Sequence, residues 1–157
     1  MKSSEPKTTP QFRRANFSDR DFICRMIVER SRAHHIEEPY GILYDQQTAV
    51  CTVSDVIKKG VALVGPNSCA GAMLGAFPWN REAVIAQVLF YHFSKAREMG
   101  ILVELARLCE WAGATHMNCS SHFPGNVIGR YYQRIGLKPV ETQWLAPLNN
   151  ICKPAGK

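Results

Sequence analysis

Residues 94–100, which read Ser-Lys-Ala-Arg-Glu-Met-Gly, have a composition that suits a negatively charged ligand. They follow an apolar run typical of a buried strand and precede the clearest helical pattern in the chain. The first N–H groups of a helix have no partner within it, and the helix dipole favours negative charge there. Gly100 would let a phosphate approach the backbone, and Lys95 or Arg97 would supply a counter-charge. A solvated turn explains these residues equally well, because they lack the GxxxxGK[ST] pattern of a Walker A loop.

The cysteines and histidines do not have the spacing of a metal site. The six cysteines form no CxxC pair, which gives zinc little support. His34 and His35 stand close to Glu37 and Glu38, yet adjacent side chains on a helix do not face one another. We therefore expect no bound metal, and we expect the cysteines to be reduced thiols of a cytosolic protein.

Apolar residues at intervals of three and four predict the helices around this segment. The first helix begins after Ser18, which we expect to be its N-cap, with Asp21 three positions on. The helix that follows residue 100 has the most regular pattern, and its polar face carries Glu104 and Arg107. The other two helices are predicted at residues 49–57 and 127–135.

Runs of β-branched and aromatic residues predict the strands. Residues 83–93 are almost all apolar, which is typical of a strand buried on both faces, and we place them at the centre of a sheet. Shorter runs predict strands at residues 12–15, 61–64, 73–77 and 115–119, and a final hairpin of residues 137–140 with 142–145. The order β-α-α-β-β-β-α-β-α-β-β predicts a mixed α/β layer fold.

Composition predicts one folded domain. The chain has 157 residues, of which 46% are hydrophobic and 20% charged, so it is long enough for a core and is not generally disordered. We expect a domain at residues 11–147 between polar tails at 1–10 and 148–157. No apolar run approaches the roughly 20 residues that a membrane span needs. The first ten residues lack the apolar stretch of a secretory signal, so we expect a cytoplasmic protein that does not enter a membrane.

The net charge of +6 comes from 19 lysines and arginines against 13 acidic residues and favours an acidic partner. Nucleic acid, a phosphorylated cofactor and the surface of a negatively charged assembly all fit. The basic residues are spread along the chain, and no basic run is interleaved with aromatic residues. We therefore do not expect nucleic-acid binding.

The element order and two short segments resemble the GNAT family of acyl-CoA-dependent N-acyltransferases over residues 12–145. Arg97-x-x-Gly100 matches the start of the family's Q/R-x-x-G-x-G/A loop, which binds pyrophosphate. Tyr132-x-x-x-Gly136-Leu137 resembles the family's segment that runs from a tyrosine to Gly-Phe. The resemblance implies an α/β fold with a mixed, twisted central sheet flanked by helices. It also implies acetyl-CoA as the co-substrate.

The resemblance implies that the loop and the strand before it contact acetyl-CoA, the strand holding the pantetheine arm and the loop the pyrophosphate. The residues so implied are Phe90, Tyr91, His92, Arg97, Glu98, Met99, Gly100, Ile101, Leu102 and Asn126. Two of them depart from the family pattern. Leu102 stands where the family has Gly or Ala, so its branched side chain is expected beside the pyrophosphate. Glu98 brings a negative charge into the loop, where it could instead cap the helix.

In the family's reaction, a neutral amine attacks the acetyl thioester directly in a ternary complex. A backbone N–H of the central strand would stabilise the oxyanion. Tyr132 would protonate the leaving thiolate, although an aromatic residue on an apolar helix stripe also suits a core. A base must remove the ammonium proton. We take Glu82 as the candidate base, with the His34-to-Glu38 stretch and His122 as alternatives, and each of these residues also suits an ordinary surface.

The acceptor is expected to be a small-molecule or protein amine, and Trp79 and Trp144 could line its pocket or fill a core. The alternative hypothesis is a GNAT-fold protein that no longer catalyses. GNAT-like domains of this size also occur among bacteriophage proteins, including virion components, and Leu102, Glu98 and the basic tails favour that role. Such a protein would act as a structural or interaction component of the virion, in a homo-oligomer or a larger assembly.

Overall fold

The computed structural model describes residues 11–33, 46–120 and 127–139 of the chain. The chain divides into two compact units, Met1–Ser120 and Ser121–Lys157. The first unit contains a five-stranded sheet and its helices, and the second contains one described helix. None of the helices in the described ranges is both long enough and apolar enough to cross a membrane.

The described elements follow the predicted order. They are β1 (Arg13–Arg14), α1 (Arg20–Ala33), α2 (Gln46–Lys59), β2 (Val61–Gly65), β3 (Ser68–Phe77), β4 (Asn80–Phe93), α3 (Ile101–Trp111), β5 (His116–Asn118) and α4 (Val127–Arg134). Short 3-10 turns at Phe17–Asp19 and Ala96–Glu98 precede α1 and α3. Helical and strand periodicity therefore predicted the type of each of these elements, and the differences lie at their ends.

The sheet is mixed, as predicted, with the order β1-β2-β3-β4-β5. The first four strands pair antiparallel with their neighbours, and β5 joins β4 in parallel. Tight turns at residues 66–67 and 78–79 connect β2 to β3 and β3 to β4, and short hairpin turns of this kind fix the register locally. A parallel pair needs a crossover, and α3 provides it between β4 and β5.

Helices cover both faces of the sheet. On one face, α1 and α2 pack on a core cluster that includes Ala62 and Val64 of β2 and Phe90 of β4. Val61 and Leu63 alternate with these β2 residues and are also buried, so they lie on the opposite face, and α3 contacts β2, β3 and β4. The fully buried stripe of α3 consists of Ile101, Leu102, Leu105 and Leu108.

The start of α1 differs from the prediction, because Asn16 and not Ser18 is the capping residue. Oδ1 of Asn16 accepts the Ser18 N–H at 2.9 Å, at the 3-10 turn that leads into α1. The Asp19 carboxylate accepts the Asn16 N–H at 2.9 Å, which completes a capping box. Asp19 also accepts two hydrogen bonds of 2.7 Å from Arg13, which hold the pKa of this carboxyl below its usual range. The ion pair ties β1 to α1.

Three further predictions were wrong in part. β4 is an internal strand, but only Ala86, Val88, Phe90 and Tyr91 of it are buried, and Leu89 is 46% exposed. Glu104 was predicted on the polar face of α3 but is buried, and its ion pair with Arg107 makes that burial tolerable. In the predicted final hairpin, residues 137–139 are irregular, as Pro139 has no N–H for a ladder. The rest of that hairpin lies outside the described residues.

Candidate active site

The strands β4 and β5 pair over only three residues and then separate. Ile85, Ala86 and Gln87 face His116, Met117 and Asn118, whereas β3 accompanies β4 as far as Phe93. Within the described residues, no strand pairs with residues 88–93 on the β5 side. Nδ2 of Asn118 donates to Oε1 of Gln87 at 2.9 Å, at the point where the strands part. Among the described strands, the sheet thus has a wedge-shaped opening on one side of β4 from residue 88 onwards.

A β-bulge lies inside this opening. Phe90 faces Gly71 and Val88 faces Ala72, so Leu89 has no partner residue on β3. A bulge leaves the extra residue unpaired and bends the strand, and bulges often occur beside active sites. Sequence reasoning missed this position, because Leu89 stands in an apolar run where no residue type marks a bulge. The bulge supplies an unpaired backbone group in the middle of the opening.

Phe90, Tyr91 and His92, which we predicted to contact acetyl-CoA, follow the bulge in β4. Their side chains make the following contacts. The Phe90 ring packs over Gly71, where an added Cβ would lie 2.2 Å from Cζ of the ring. The Tyr91 hydroxyl donates to the Ser120 carbonyl at 3.5 Å, a long contact that spans the gap beyond β5. Nε2 of His92 lies 3.3 Å from Oγ of Ser94. These contacts leave the backbone of residues 90–92 on the open side of β4.

The loop after β4 ends in the predicted arrangement of free amides. Gly100 is the N-cap residue of α3, and no side chain caps the helix. Among the described residues, the N–H groups of Gly100, Ile101 and Val103 have no backbone acceptor. A Cβ added at Gly100 would contact only a Phe12 ring carbon, at 3.7 Å. The helix start therefore offers the unpaired donors that an anion needs.

Leu102 does not lie where the family pattern suggested. Its side chain is fully buried in the core under α3, and its N–H donates to the Met99 carbonyl at 3.1 Å. The branched side chain therefore packs against the sheet and leaves the start of the helix uncrowded. The expectation that Leu102 would stand beside a pyrophosphate was wrong, because the helical phase directs position 102 inward.

Glu98 is buried in the turn before α3 and is 3% exposed. Its Oε2 has no hydrogen-bond partner among the described residues, and it does not cap α3. The suggestion that Glu98 could cap the helix was therefore wrong. An unpaired buried carboxyl oxygen is costly, and Glu98 precedes the uncapped start of α3 at Gly100 by two residues. Lys95 and Arg97 of the same loop are exposed.

The other candidates are scattered or lie outside the described residues. Glu82 is exposed near the outer end of β4, seven residues before Leu89 and so roughly 23 Å away along an extended strand. Trp79 is 88% exposed in the turn between β3 and β4, so it does not fill a core. The residues outside the described ranges are His34, His35, Glu37, Glu38, His122, Asn126 and Trp144. The described residues contain no group of three or more His, Cys, Asp or Glu that could hold a metal ion.

The second unit contains the tyrosine segment. Tyr132 is buried on α4, and burial raises the pKa of its neighbour Tyr131. The helix ends in a Schellman motif: the Gly136 N–H donates to the Gln133 carbonyl at 3.1 Å, and the Leu137 N–H donates to the Tyr132 carbonyl at 2.9 Å. Gly136 has a φ of 98°, which favours glycine. The four-residue spacing from Tyr132 to Gly136 therefore follows from the way α4 ends.

The chain is similar in structure to several solved acetyltransferases. A predicted acetyltransferase from Clostridium acetobutylicum, solved with acetyl-CoA, has a TM-score of 0.69 and 13% identity, and the match covers 88% of this chain and 96% of that one. AAC(6')-Iy, in complex with the bisubstrate analogue CoA-S-monomethyl-acetylneamine, has a TM-score of 0.58 and 12% identity. The match covers 87% of this chain and 95% of that one. Glucosamine-6-phosphate N-acetyltransferase from Arabidopsis thaliana has a TM-score of 0.56 and 12% identity. The match covers 87% of this chain and 96% of that one.

Neither a protein-family model nor a curated protein sequence matches the chain. At these identities the structural likeness shows the fold alone, and it confirms the predicted GNAT fold. The similar structures give no support to a bacteriophage type or to a role in a virion.

Proposed function

We propose that this protein is an acetyl-CoA-dependent N-acetyltransferase in which an amine attacks the acetyl thioester directly in a ternary complex. The observation that carries the proposal is the opening between β4 and β5, which contains the bulge at Leu89 and leads to the uncapped start of α3. An acyl-CoA needs the same arrangement, an extended slot for its pantetheine arm and amide donors for its pyrophosphate. The acetyl-CoA bound to the similar Clostridium acetobutylicum protein supports this proposal.

The residues around the opening fit such a co-substrate. The free amides of Gly100, Ile101 and Val103 would bind the pyrophosphate, and the open side of Gly100 and the inward Leu102 leave space for it. The exposed Lys95 and Arg97 would add positive charge. The backbone of residues 90–92 would hold the pantetheine arm, as the resemblance to the family implies, because these residues lie beyond the last pair of β4 with β5.

Three groups would act on the reacting atoms or near them. The unpaired backbone at Leu89 would donate its N–H to the oxyanion that forms at the thioester carbon. Tyr132 would give a proton to the leaving thiolate, as the resemblance to the family implies. Glu82 remains a candidate base, although its distance along β4 from Leu89 requires a chain of waters.

Calorimetric titration with acetyl-CoA tests the proposal. We expect micromolar affinity for the wild-type protein and at least a tenfold loss for Gly100→Ala. The new methyl would contact only Phe12, at 3.7 Å, and Gly100 has a helical φ of −55°, so the substitution should leave folding intact. Gly75→Ala is the matched control, because a Cβ there has no atom within 4 Å and lies on β3. No binding at millimolar acetyl-CoA would overturn the proposal and would make the negative charge of Glu98 decisive.

The role of Tyr132 is tested separately. Tyr132→Phe removes the hydroxyl and keeps the buried ring, so we expect turnover to fall by a factor of ten or more while acetyl-CoA affinity persists. Release of CoA, followed with a thiol reagent, measures turnover. Unchanged turnover would remove Tyr132 from the reaction.

A further inference from the structure

Three polar side chains lie together on one face of the sheet where β4 and β5 separate. Gln87 faces Met73 on β3, and Met73 packs against the core cluster under α1 and α2, so Gln87 lies on the same face. Asn118 is the β5 partner of Gln87 and bonds to it at 2.9 Å, and His116 precedes Asn118 by two residues on the same face. His116 and Asn118 are exposed, and Gln87 is half-buried. We name these three residues the apex cluster.

The hydroxyl of Thr115 lies between Val84 and His116. Its Oγ1 accepts the Val84 N–H at 3.0 Å and lies 3.1 Å from the Val84 carbonyl oxygen, which also accepts the Thr115 N–H at 2.8 Å. The same Oγ1 lies 2.9 Å from Nδ1 of His116. When the hydroxyl donates its proton to the Val84 carbonyl, Nδ1 carries the ring proton and donates it to Thr115. In that tautomer Nε2 of His116 has a free lone pair, as a general base requires.

The apex cluster lies on the strands just before the bulge. Gln87 precedes Leu89 by two residues, which is about 7 Å along the strand, and His116 faces Ile85, two residues farther from the bulge. The Gln87 amide accepts from Asn118 and donates to the Val88 carbonyl at 3.4 Å, and among the described residues Oδ1 of Asn118 accepts no hydrogen bond. Residues 83–88 and 114–118 include no Asp, Glu, Lys or Arg, and the nearest such residues along β4 are Arg81 and Glu82.

We propose that the apex cluster is the acceptor site, with His116 as the base for a primary amine that carries a hydroxyl on the adjacent carbon. This proposal rests on the proposed acetyltransferase function. The paired amides are neutral donors and acceptors, so they suit a hydroxyl and do not compensate a carboxylate or a phosphate. Because His116 is exposed and faces Ile85, about 13 Å along the strand from Leu89, a chain of water molecules carries the proton between amine and imidazole.

The reaction then balances as follows in atoms and charges. The ammonium group gives one proton to Nε2 of His116, which later releases it to solvent. The neutral nitrogen forms a bond to the thioester carbon, and the C–S bond breaks with its electron pair on sulfur. The second nitrogen proton is lost as the amide forms, and the thiolate is protonated to CoA. The acceptor leaves as its N-acetyl derivative.

The first experiment compares 2-aminocyclohexanol with cyclohexylamine as acceptors, with CoA release measured at saturating acetyl-CoA. These probes differ by one hydroxyl group, and we expect at least a tenfold higher kcat/KM for the amino alcohol. Asn118→Ala should remove this preference, because kcat/KM for the amino alcohol should fall about tenfold relative to that for cyclohexylamine. Calorimetry of acetyl-CoA on each variant accompanies the assay. If the wild type binds acetyl-CoA but does not prefer the amino alcohol, this proposal fails and the proposed function stands.

The second experiment tests the base through its pH dependence. His116→Gln should lower kcat/KM for the amino alcohol at least thirtyfold at pH 7, and the loss should shrink towards pH 10, where the free amine needs no base. A merely structural defect would persist at every pH. Thr115→Val should show the same profile in weaker form, and Thr115→Ser, which keeps the hydroxyl, should restore activity. Equal pH profiles for wild type and His116→Gln would overturn the role of His116, whereas absent acetyl-CoA binding would overturn the acetyltransferase function itself.

Discussion

At the scale of single residues, the direction of a side chain matters more than its type. Leu102 breaks the family's small-residue pattern, yet its side chain is buried in the core and does not obstruct the start of α3. Glu98 also points inward, and there its unpaired oxygen introduces an unfavourable charge. From the sequence, both departures from the family pattern argued against cofactor binding. In the structure, only Glu98 still does.

Gly71 offers a residue-scale prediction, because it is the place where β3 lets the Phe90 ring approach the sheet. An added Cβ would lie 2.2 to 2.8 Å from three ring carbons, so Gly71→Ala must displace a buried ring in the core. We expect a loss of about 1–3 kcal/mol in the free energy of unfolding, measured by urea denaturation.

Gly75 on the same strand is the matched control for Gly71. No atom lies within 4 Å of a Cβ added there, and alanine costs less backbone entropy than glycine. We expect Gly75→Ala to be neutral or to stabilise by up to about 1 kcal/mol. Equal effects at the two positions would contradict the assigned packing of Phe90.

At the scale of elements, β4 has two parts that differ in how they pair with neighbouring strands. Its first part pairs with strands on both sides, and its last six residues keep one edge open. The bulge at Leu89 separates the two parts, and the bond between Gln87 and Asn118 marks the end of the parallel pairing. The crossover helix α3 then begins with free amides beyond the open edge.

Deletion of Leu89 tests the function of the bulge. Val88 and Phe90 already face consecutive residues of β3 and lie on opposite faces, so the deletion should produce a regular strand with the core side chains in place. We expect the protein to fold and to bind acetyl-CoA within tenfold of wild type. Turnover should fall about a hundredfold or more, the loss typical of a missing oxyanion donor.

Leu89→Ala is the comparison for this deletion, because it keeps the residue and its N–H while removing the exposed side chain. Its turnover should fall far less than that of the deletion variant, with circular dichroism confirming the fold of both. Wild-type turnover in the deletion variant would show that the bulge does not stabilise the oxyanion.

At the scale of the whole molecule, acetyl-CoA should stabilise the folded chain. A ligand at 100 times its Kd adds about 2.7 kcal/mol to the free energy of unfolding, which for a chain of this size raises Tm by roughly 5–10 °C. Acetyl-pantetheine is the control, as it has the thioester but lacks the pyrophosphate, and it should give a much smaller shift in differential scanning calorimetry. Equal shifts at equal concentration would contradict an anion site at the start of α3.

The sequence alone determined the type of the described elements, their order and the place of the loop that we propose to bind an anion. Helical and strand periodicity depend on near neighbours in the chain, and so do the glycine termini of α3 and α4 at Gly113 and Gly136, both with positive φ. The mixed α/β fold followed from the element order and was confirmed. The N-cap at Ser18 was wrong by two residues, because Asn16 and Asp19 bond to each other's backbone in a tighter box.

Only the tertiary structure decided what the candidate site contains. The bulge depends on the register between β3 and β4, and an unbroken apolar run gives no sign of it. Gln87 and Asn118 are 31 residues apart in the chain, and they meet because the parallel register of β4 and β5 makes them partners. His116 became a candidate base because the fold brings Thr115 against Val84 and places Oγ1 of Thr115 2.9 Å from Nδ1 of His116. Contacts between distant residues follow from register and crossover geometry, which local residue patterns do not specify.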